Sequence, residues 1–436
     1  GSQALPRAHA AIFIGTSLSK PGAPNSASSQ KIEIVNSDIR MYGSGTVCAI
    51  FADSVYHKDS SVSISTSNID LSSDQFWKGP SNRDADPLRL YDDQLDAGPL
   101  DPNATDGRFA SSMTWTVGIY MRRGFQGLVD FTLGPFNRFR AANASVAALV
   151  MIHNDNEQLD RNGMARDVPI LVRVRILGAG NQDPTDPHVL IDLPAPPRSF
   201  VAAGLRLDLF HGGYGLICNS PVTDVIMEVT TKRPIYVSSY ARATWLRVTS
   251  YVDNAVVCAI KQVDSMLLQS YGDAAMVAFV APKEGASGAV TAVRFSVDMS
   301  SIVIQGCWNN AAFRTLAYPK RALSEAIRTM GETGLLVGTF IKRVQVSVVR
   351  SHVKVTSTAG LQSVALIALR SIINLATVAV RDNPTVHVFS DYKASCVGLL
   401  EAAKDPLPAN RNIEIDLVRI TYEAVGGQSA SWDAWS

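Results

Sequence analysis

The sequence predicts a mainly β protein: antiparallel β-sandwiches in two domains, with a few short helices. Three observations lead there. Apolar and polar residues alternate along many segments, helical stripes are scarce, and a proline-rich segment stands near the middle of the 436-residue chain. Alternation puts successive side chains on opposite faces of a strand, so each such strand has one buried and one polar face. Strands of that kind belong mostly to antiparallel sheets.

Taken from the N-terminus, residues 1–30 read as an extended arm, because Gly15–Gln30 is small, polar and proline-containing and buries little. Residues 31–193 form the expected first sandwich. Short strands are expected at Lys31–Val35, Val47–Ala52 and Val62–Ile64, followed by an irregular stretch from Ser67 to Ala110 rich in Asp, Pro, Gly and Asn. Irregular stretches of that length are usually functional or interfacial. Met113, Trp115, Val117, Ile119 and Met121 then alternate, Leu128–Leu133 and Ala147–His153 follow, and Ile170, Val172, Val174 and Ile176 alternate against Arg173 and Arg175. Leu193-Pro194-Ala195-Pro196-Pro197 removes ladder donors and fixes an extended connector, so residues 194–206 read as a linker.

Residues 207–425 form the expected second β-rich domain. Val225, Met227 and Val229 alternate, as do Val293, Phe295 and Val297, and Val344, Val346 and Val348. Val378–Val380 and Val386–Phe389 flank Arg381-Asp382-Asn383-Pro384, an expected hairpin turn. Ile413, Ile415 and Leu417 alternate, and Val418, Ile420 and Tyr422 continue one residue out of phase, as a β-bulge would produce. A helix is expected at Lys320–Met330, with Pro319 at its first position and Gly331 past its end. Leu361–Ile373 fits a helix or a buried strand, and Cys396–Lys404 a third helix stopped before Pro406. No short-period repeat is evident. Residues 426–436 read as a flexible tail carrying Trp432 and Trp435, which would bury either on a neighbouring subunit or on their own domain.

The balance of 40 Lys+Arg against 39 Asp+Glu gives a net charge of +1, against a surface built to coat nucleic acid. The longest uncharged runs, Leu209–Thr223 and Met299–Phe313, fall short of the ~20 apolar residues of a spanning helix. The chain begins Gly1-Ser2-Gln3, as a cloning scar or a precursor cut would leave it, with no signal-peptide pattern. Cys48, Cys218, Cys258, Cys307 and Cys396 are odd in number and widely spaced, which suits buried free thiols in a reducing environment rather than zinc or disulfides.

Candidate sites are sparse. Asp84, Asp86, Asp92, Asp93, Asp96, Asp101 and Asp106 supply clustered carboxylates for Ca²⁺, but without EF-hand order they read as turn chemistry, as do Asp155, Asn156, Glu157 and Asp160. Gly43-Ser44-Gly45 and Gly178-Ala179-Gly180 lack the third glycine and the following helix of a nucleotide fingerprint. His211-Gly212-Gly213-Tyr214-Gly215 has no Gly-x-Ser-x-Gly partner and reads as a turn. His9, His57, His153, His188, His211, His352 and His387 show no metal-ligand spacing. Arg122-Arg123 and Lys342-Arg343 are isolated basic pairs. Phe136 with Arg138-Phe139-Arg140 reads as a strand end, or as a contact for single-stranded nucleic acid by charge and stacking. Asn103-Ala104-Thr105 and Asn143-Ala144-Ser145 are glycosylation sequons that matter only in a secreted chain.

The alternating strands, above all Pro169–Ile176 leading into Gly178, together with the Ser/Pro-rich arm, resemble the jelly-roll coat proteins of icosahedral viruses, most of all picorna-like capsid proteins. Gly1 is similar to the residue left when a picorna-like protease cuts after Gln. The chain departs from single-gene coats in having no basic arm: its first forty residues hold only Arg7, Lys20, Lys31 and Arg40. The resemblance implies a structural virion protein, assembled in the host cytoplasm with copies of itself and sibling capsid proteins, in weak contact with the genome. It implies no enzymatic activity, no cofactor or metal, and no membrane insertion. The alternative is a carbohydrate-binding or glycan-hydrolysing β-sandwich in which Trp77, Trp115 and the acidic stretch line a groove.

Overall fold

The structure is a computed structural model describing residues 8–15, 31–43, 45–53, 60–73, 114–121, 127–153, 170–178, 183, 185–193, 212–239, 242–270, 272–279, 290–306, 333–339, 341–357, 363–370, 375–382, 385–390, 393–400, 412–419, 422–426 and 429–435. The chain winds in coils of three strands. Successive coils are β1 (Ala8–Gly15), β2 (Lys31–Val35) and β3 (Asp38–Gly43); β4 (Thr46–Asp53), β5 (Ser60–Ser65) and β6 (Asn68–Ser73); β7 (Trp115–Met121), β8 (Gly127–Leu133) and β9 (Phe139–Ala142); β10 (Val146–His153), β11 (Ile170–Leu177) and β12 (Val189–Asp192). They continue with β13 (Gly212–Asn219), β14 (Val222–Thr230) and β15 (Ile235–Ser239); β16 (Arg242–Val248), β17 (Val252–Lys261) and β18 (Met266–Ser270); β19 (Asp273–Phe279), β20 (Val290–Asp298) and β21 (Ser301–Gly306). The last are β22 (Gly334–Thr339), β23 (Ile341–Val349) and β24 (His352–Ser357); β25 (Ser363–Arg370), β26 (Leu375–Arg381) and β27 (Thr385–Ser390); β28 (Lys393–Leu400), β29 (Asn412–Val418) and β30 (Tyr422–Gly426); and β31 (Ser429–Trp435).

Each strand pairs in parallel with its counterpart in the next coil. The result is a three-sided solenoid: sheet 1 has eleven strands, beginning β1-β4-β7, and sheets 2 and 3 have ten each, beginning β2-β5-β8 and β3-β6-β9. The expected antiparallel sandwiches are therefore corrected to parallel sheets, and β10 pairs with β13 across the segment that was to separate two domains. The misreading has a physical cause. Parallel strands usually lie between two layers of helix and read as continuous apolar runs. Here each of sheets 2 and 3 turns one face to a common interior and the other outward, so parallel strands alternate. In β11, Val172, Val174 and Ile176 are fully buried while Arg173 and Arg175 point out.

Other expectations change with the fold. Of the two readings of Leu361–Ile373, the strand is the one present, as β25 over Ser363–Arg370, and the described part of the expected helix Cys396–Lys404, up to Leu400, lies in strand β28. β26 ends at Arg381 in sheet 2 and β27 begins at Thr385 in sheet 3, so the two do not pair as the expected hairpin, and the phase shift after Leu417 falls where β29 ends at Val418 in sheet 2 before β30 begins at Tyr422 in sheet 3, not at a bulge within one strand. Ser429–Trp435 is the last strand of sheet 1, paired with β28 of its own chain. The expected helix Lys320–Met330, the linker 194–206 and the acidic residues Asp84 to Asp106 lie outside the described residues.

The missed repeat is a coil of about 30 residues: hydrogen-bonded neighbours in adjacent coils are 31 apart for Thr114 and Ser145 and 30 apart for Asn219 and Thr249. Insertions hide it, since Ala274 and Thr333 are 59 apart and Asn68 and Arg138 are 70 apart. Sheet 1 adds a second disguise. Its strands bend midway and place two consecutive side chains inside: Leu149 and Val150, Trp245 and Leu246, Met276 and Val277, Leu335 and Leu336, Leu366 and Ile367 all belong to the interior core. The break in alternation at Leu366-Ile367 is what gives that segment its helical look. The outer face of sheet 1 is also buried at Cys48, Val117, Met151, Tyr214 and Ile217. Burial pushes the Cys48 and Cys258 thiols up beyond ordinary titration and the Cys218 thiol up to about 12, which makes them poor nucleophiles.

The corner between sheets 2 and 3 is built from a two-part local code. Asn36, Thr66, Gln262, Met299, Arg350, Asp382 and Arg419 all take positive φ, between 47° and 53°. The N–H groups of the first six reach carbonyls of the next coil, as Gln262 to Asp298 at 3.0 Å and Asp382 to Val418 at 2.9 Å. Serine often follows. Ser300 Oγ accepts the Val263 N–H at 3.2 Å and donates to the Asp298 carbonyl at 2.8 Å, and Ser351 Oγ accepts the Ser300 N–H at 3.2 Å. These hydroxyls form an internal ladder that satisfies amides the corner takes out of the sheets. Ser300→Ala strands the Val263 N–H in the interior, with an expected loss of about 1–3 kcal/mol in urea unfolding; an unchanged midpoint would show that the ladder contributes nothing.

Candidate functional site

On sheet 3 the inward residues fix which side chains face out. Val189 and Ile191, Ile235 and Val237, Met266 and Leu268, and Ile302 and Ile304 are buried in the core, so the residues between and after them form an outer face. The parallel register aligns Leu190, Tyr236, Leu267 and Val303 in one column. Asp192, Ser238, Gln269 and Gln305 make the adjacent column in the same register. With strands ~4.8 Å apart, each column spans about 14 Å along the axis. Leu190, Tyr236, Leu267 and Val303 are half-buried, as are Ser238, Gln269 and Gln305, whose side-chain polar groups have no hydrogen-bond partner among the described residues. A strip of apolar surface thus runs beside a strip of available donors and acceptors.

Charges close the strip at both ends. Arg140 precedes Leu190 in the column, with Asp70 and then Arg40 beyond it, and Lys354 follows Val303, with His387 next. Arg138 and Arg140, singled out in the sequence, therefore lie on or beside this face, and Phe136 is exposed at the nearby corner.

The end of the strip near Leu190 is held by a buried corner. His188 precedes β12, and Arg233 precedes β15. His188 is fully buried; its Nε2 donates to the Gly134 carbonyl at 2.9 Å, so its Nδ1 accepts from the Thr231 hydroxyl at 2.8 Å. Arg233 donates from Nε to the Asp186 carbonyl at 2.9 Å, from Nη1 to the Asn137 and Pro135 carbonyls at 2.6 and 3.2 Å, and from Nη2 to the Pro187 carbonyl at 3.2 Å and to the Asp186 carboxylate. Burial is the main reason the His188 pKa falls to about 4; its bond to Gly134 works the other way, and Arg233 adds repulsion. A neutral, fully satisfied imidazole at such a corner positions strands rather than moving protons. Nearby, the Thr185 hydroxyl and N–H hold the Asp183 carboxyl below its ordinary range.

The remaining sequence candidates scatter. His9 lies on β1, His153 ends β10, and His352 starts β24 on sheet 3. Trp115 begins β7 and stacks on Tyr120 at 5.8 Å on the outer side of sheet 1, away from sheet 3. Asn143 is an exposed corner residue bonded to Ser72 at 3.2 Å, while Ser145 of its sequon is buried. Gly43 ends β3 and Gly45, with φ 87°, turns the chain into β4. Trp77, His57, His211, Arg122-Arg123 and Asp155 to Asp160 lie outside the described residues. Among the described residues no three His, Cys, Asp or Glu side chains come together as a metal site, and no helix is long and apolar enough to cross a membrane. Sequence reasoning missed Leu190, Tyr236, Leu267 and Val303, because single outward apolar residues are common on protein surfaces and only register makes them a strip. No protein-family model, curated protein or solved structure matches the chain.

Proposed function

We propose that the chain is a binding protein whose sheet 3 takes an extended glycan along the solenoid axis. The observation that carries this reading is the aligned column Leu190–Tyr236–Leu267–Val303 beside Ser238–Gln269–Gln305. Sugar rings offer apolar C–H faces and rims of hydroxyls. A flat strip that pairs apolar contact with free amide and hydroxyl groups meets both needs at once. The strand spacing of ~4.8 Å is close to the length of one sugar unit, so successive units meet successive coils. This keeps the carbohydrate-binding alternative raised by the sequence and moves it from Trp77 and Trp115 to sheet 3. Shell building from copies of the chain loses the antiparallel sandwiches that motivated it.

A glycan array followed by calorimetry tests the reading. Tyr236→Ala, at the middle of the column, is expected to weaken binding about tenfold, the ~1–2 kcal/mol of a stacked aromatic contact, without altering the fold. Failure to bind any glycan, or equal affinity in the variant, overturns the proposal.

A further inference from the structure

A different face carries a different chemistry. On the outer side of sheet 2, β8 and β11 lie side by side with Asp130 beside Arg173 and Thr132 beside Arg175. The Asp130 carboxylate is nearly buried. It accepts from Arg173 Nε and Nη2 at 3.1 and 2.5 Å, from Arg175 Nη2 at 3.1 Å, and from the Thr132 hydroxyl at 3.1 Å. One carboxylate thus holds two guanidinium groups. The group keeps a net charge of one positive unit, and both arginine side chains remain 32% exposed. Each guanidinium has five N–H donors, and the bonds to Asp130 use fewer than half of the ten. Arg173 Nη1 and Arg175 Nη1 make no bond among the described residues.

The surroundings favour an anion. Ser63 and Ser65 of β5 flank Asp130 and Thr132, and Ile226 flanks Arg173. Glu228, beside Arg175, is the one acid facing the pair from β14 in that register, and it is exposed and bonded to neither arginine. Asp224, farther along β14, is engaged by Asn254 at 2.8 Å.

We propose that Arg173 and Arg175 form a subsite for an oxyanion, a carboxylate, phosphate or sulfate group of a ligand, with Asp130 as the positioning residue that holds both guanidinium groups for it. The fork of an arginine matches such groups in pairs of parallel bonds, and a pair fixed in advance spends little entropy on binding. The inference does not rest on the glycan reading, which concerns another face.

The test is thermal melting and calorimetry of the full chain with sodium phosphate, sulfate or acetate, against chloride at matched ionic strength. A saturable rise in melting temperature with an oxyanion, absent with chloride, is expected, and the tightest of the three probes identifies a tetrahedral or a planar group. Arg175→Gln should weaken that binding at least about tenfold, and Arg175→Lys, which keeps the charge but not the fork, about threefold. Glu228→Gln leaves both arginines in place and should tighten it. Equal melting in all four salts, or an oxyanion effect untouched by Arg175→Gln and by Glu228→Gln, overturns the proposal.

Discussion

Trp245→Ala is expected to cost about 3–5 kcal/mol in urea unfolding, the range for removing a large buried aromatic. Trp245 heads the fully buried side chains by volume, and it lies at the inward bend of β16. Gly215, at the matching bend of β13, makes room for it: a Cβ there would stand 2.5 Å from the Trp245 carbonyl oxygen and 2.8 Å from its ring. The first of these atoms is backbone and cannot turn aside. Gly215→Ala is therefore expected to destabilise by forcing two coils apart, while Trp245→Ala leaves a hole between them. Trp245→Phe separates volume from polarity. The indole Nε1 has no hydrogen-bond partner among the described residues, so its removal forfeits no bond seen there and the loss should stay near 1–2 kcal/mol. An alanine variant as stable as the phenylalanine variant would mean that the interior does not pack as described.

Acid is expected to weaken the corner beside the glycan strip through His188. Its folded pKa of about 4 lies below the ordinary 6.5. Between those values the unfolded chain takes up a proton that the folded chain refuses, so stability rises with pH across this window. The contribution is complete above about pH 6.5, is lost as pH falls toward 4, and amounts to about 3 kcal/mol. Urea unfolding of the parent and of His188→Gln at several pH values checks it. The variant should be less stable at pH 7, because Gly134 and Thr231 lose their partner, yet flatter between pH 7 and 4. Parallel pH profiles would show that His188 is not the group that titrates. Because His188 and Arg233 tie the starts of β12 and β15 to the Gly134–Asn137 corner, and the folded imidazole stays neutral across this window, glycan affinity of the folded chain should hold down to about pH 4 and fall only below it.

The strands were legible and their partnership was not. Ile170–Ile176, Val225–Val229 and Val344–Val348 each fall where alternation places them, in β11, β14 and β23. Alternation reports that a strand has a dry face and a wet face. It does not report direction, and Val172 beside Val225 in a parallel pair looks no different in sequence from an antiparallel neighbour. One local feature does carry the coil period. Ser37, Ser67, Ser300 and Ser351 each follow a positive-φ residue at the corner after a sheet 2 strand, and their spacing carries the coil period wherever no insertion intervenes, as in the 30 residues between Ser37 and Ser67. The candidate sites were hidden more deeply. Arg173 and Arg175 were visible only as the polar half of an alternation, and Asp130, 43 residues earlier than Arg173, had nothing local to connect it to them.

By itself the sequence determined where the strands run and which side chains of each turn away from water, because that pattern is set over two residues by the pleat of the backbone. The tertiary structure decided that the strands stack in parallel, that Leu190, Tyr236, Leu267 and Val303 become neighbours, and that Asp130 meets two arginines. Those outcomes depend on the chain closing a coil and returning beside itself some thirty residues or more later, a distance over which no local preference of a residue can act.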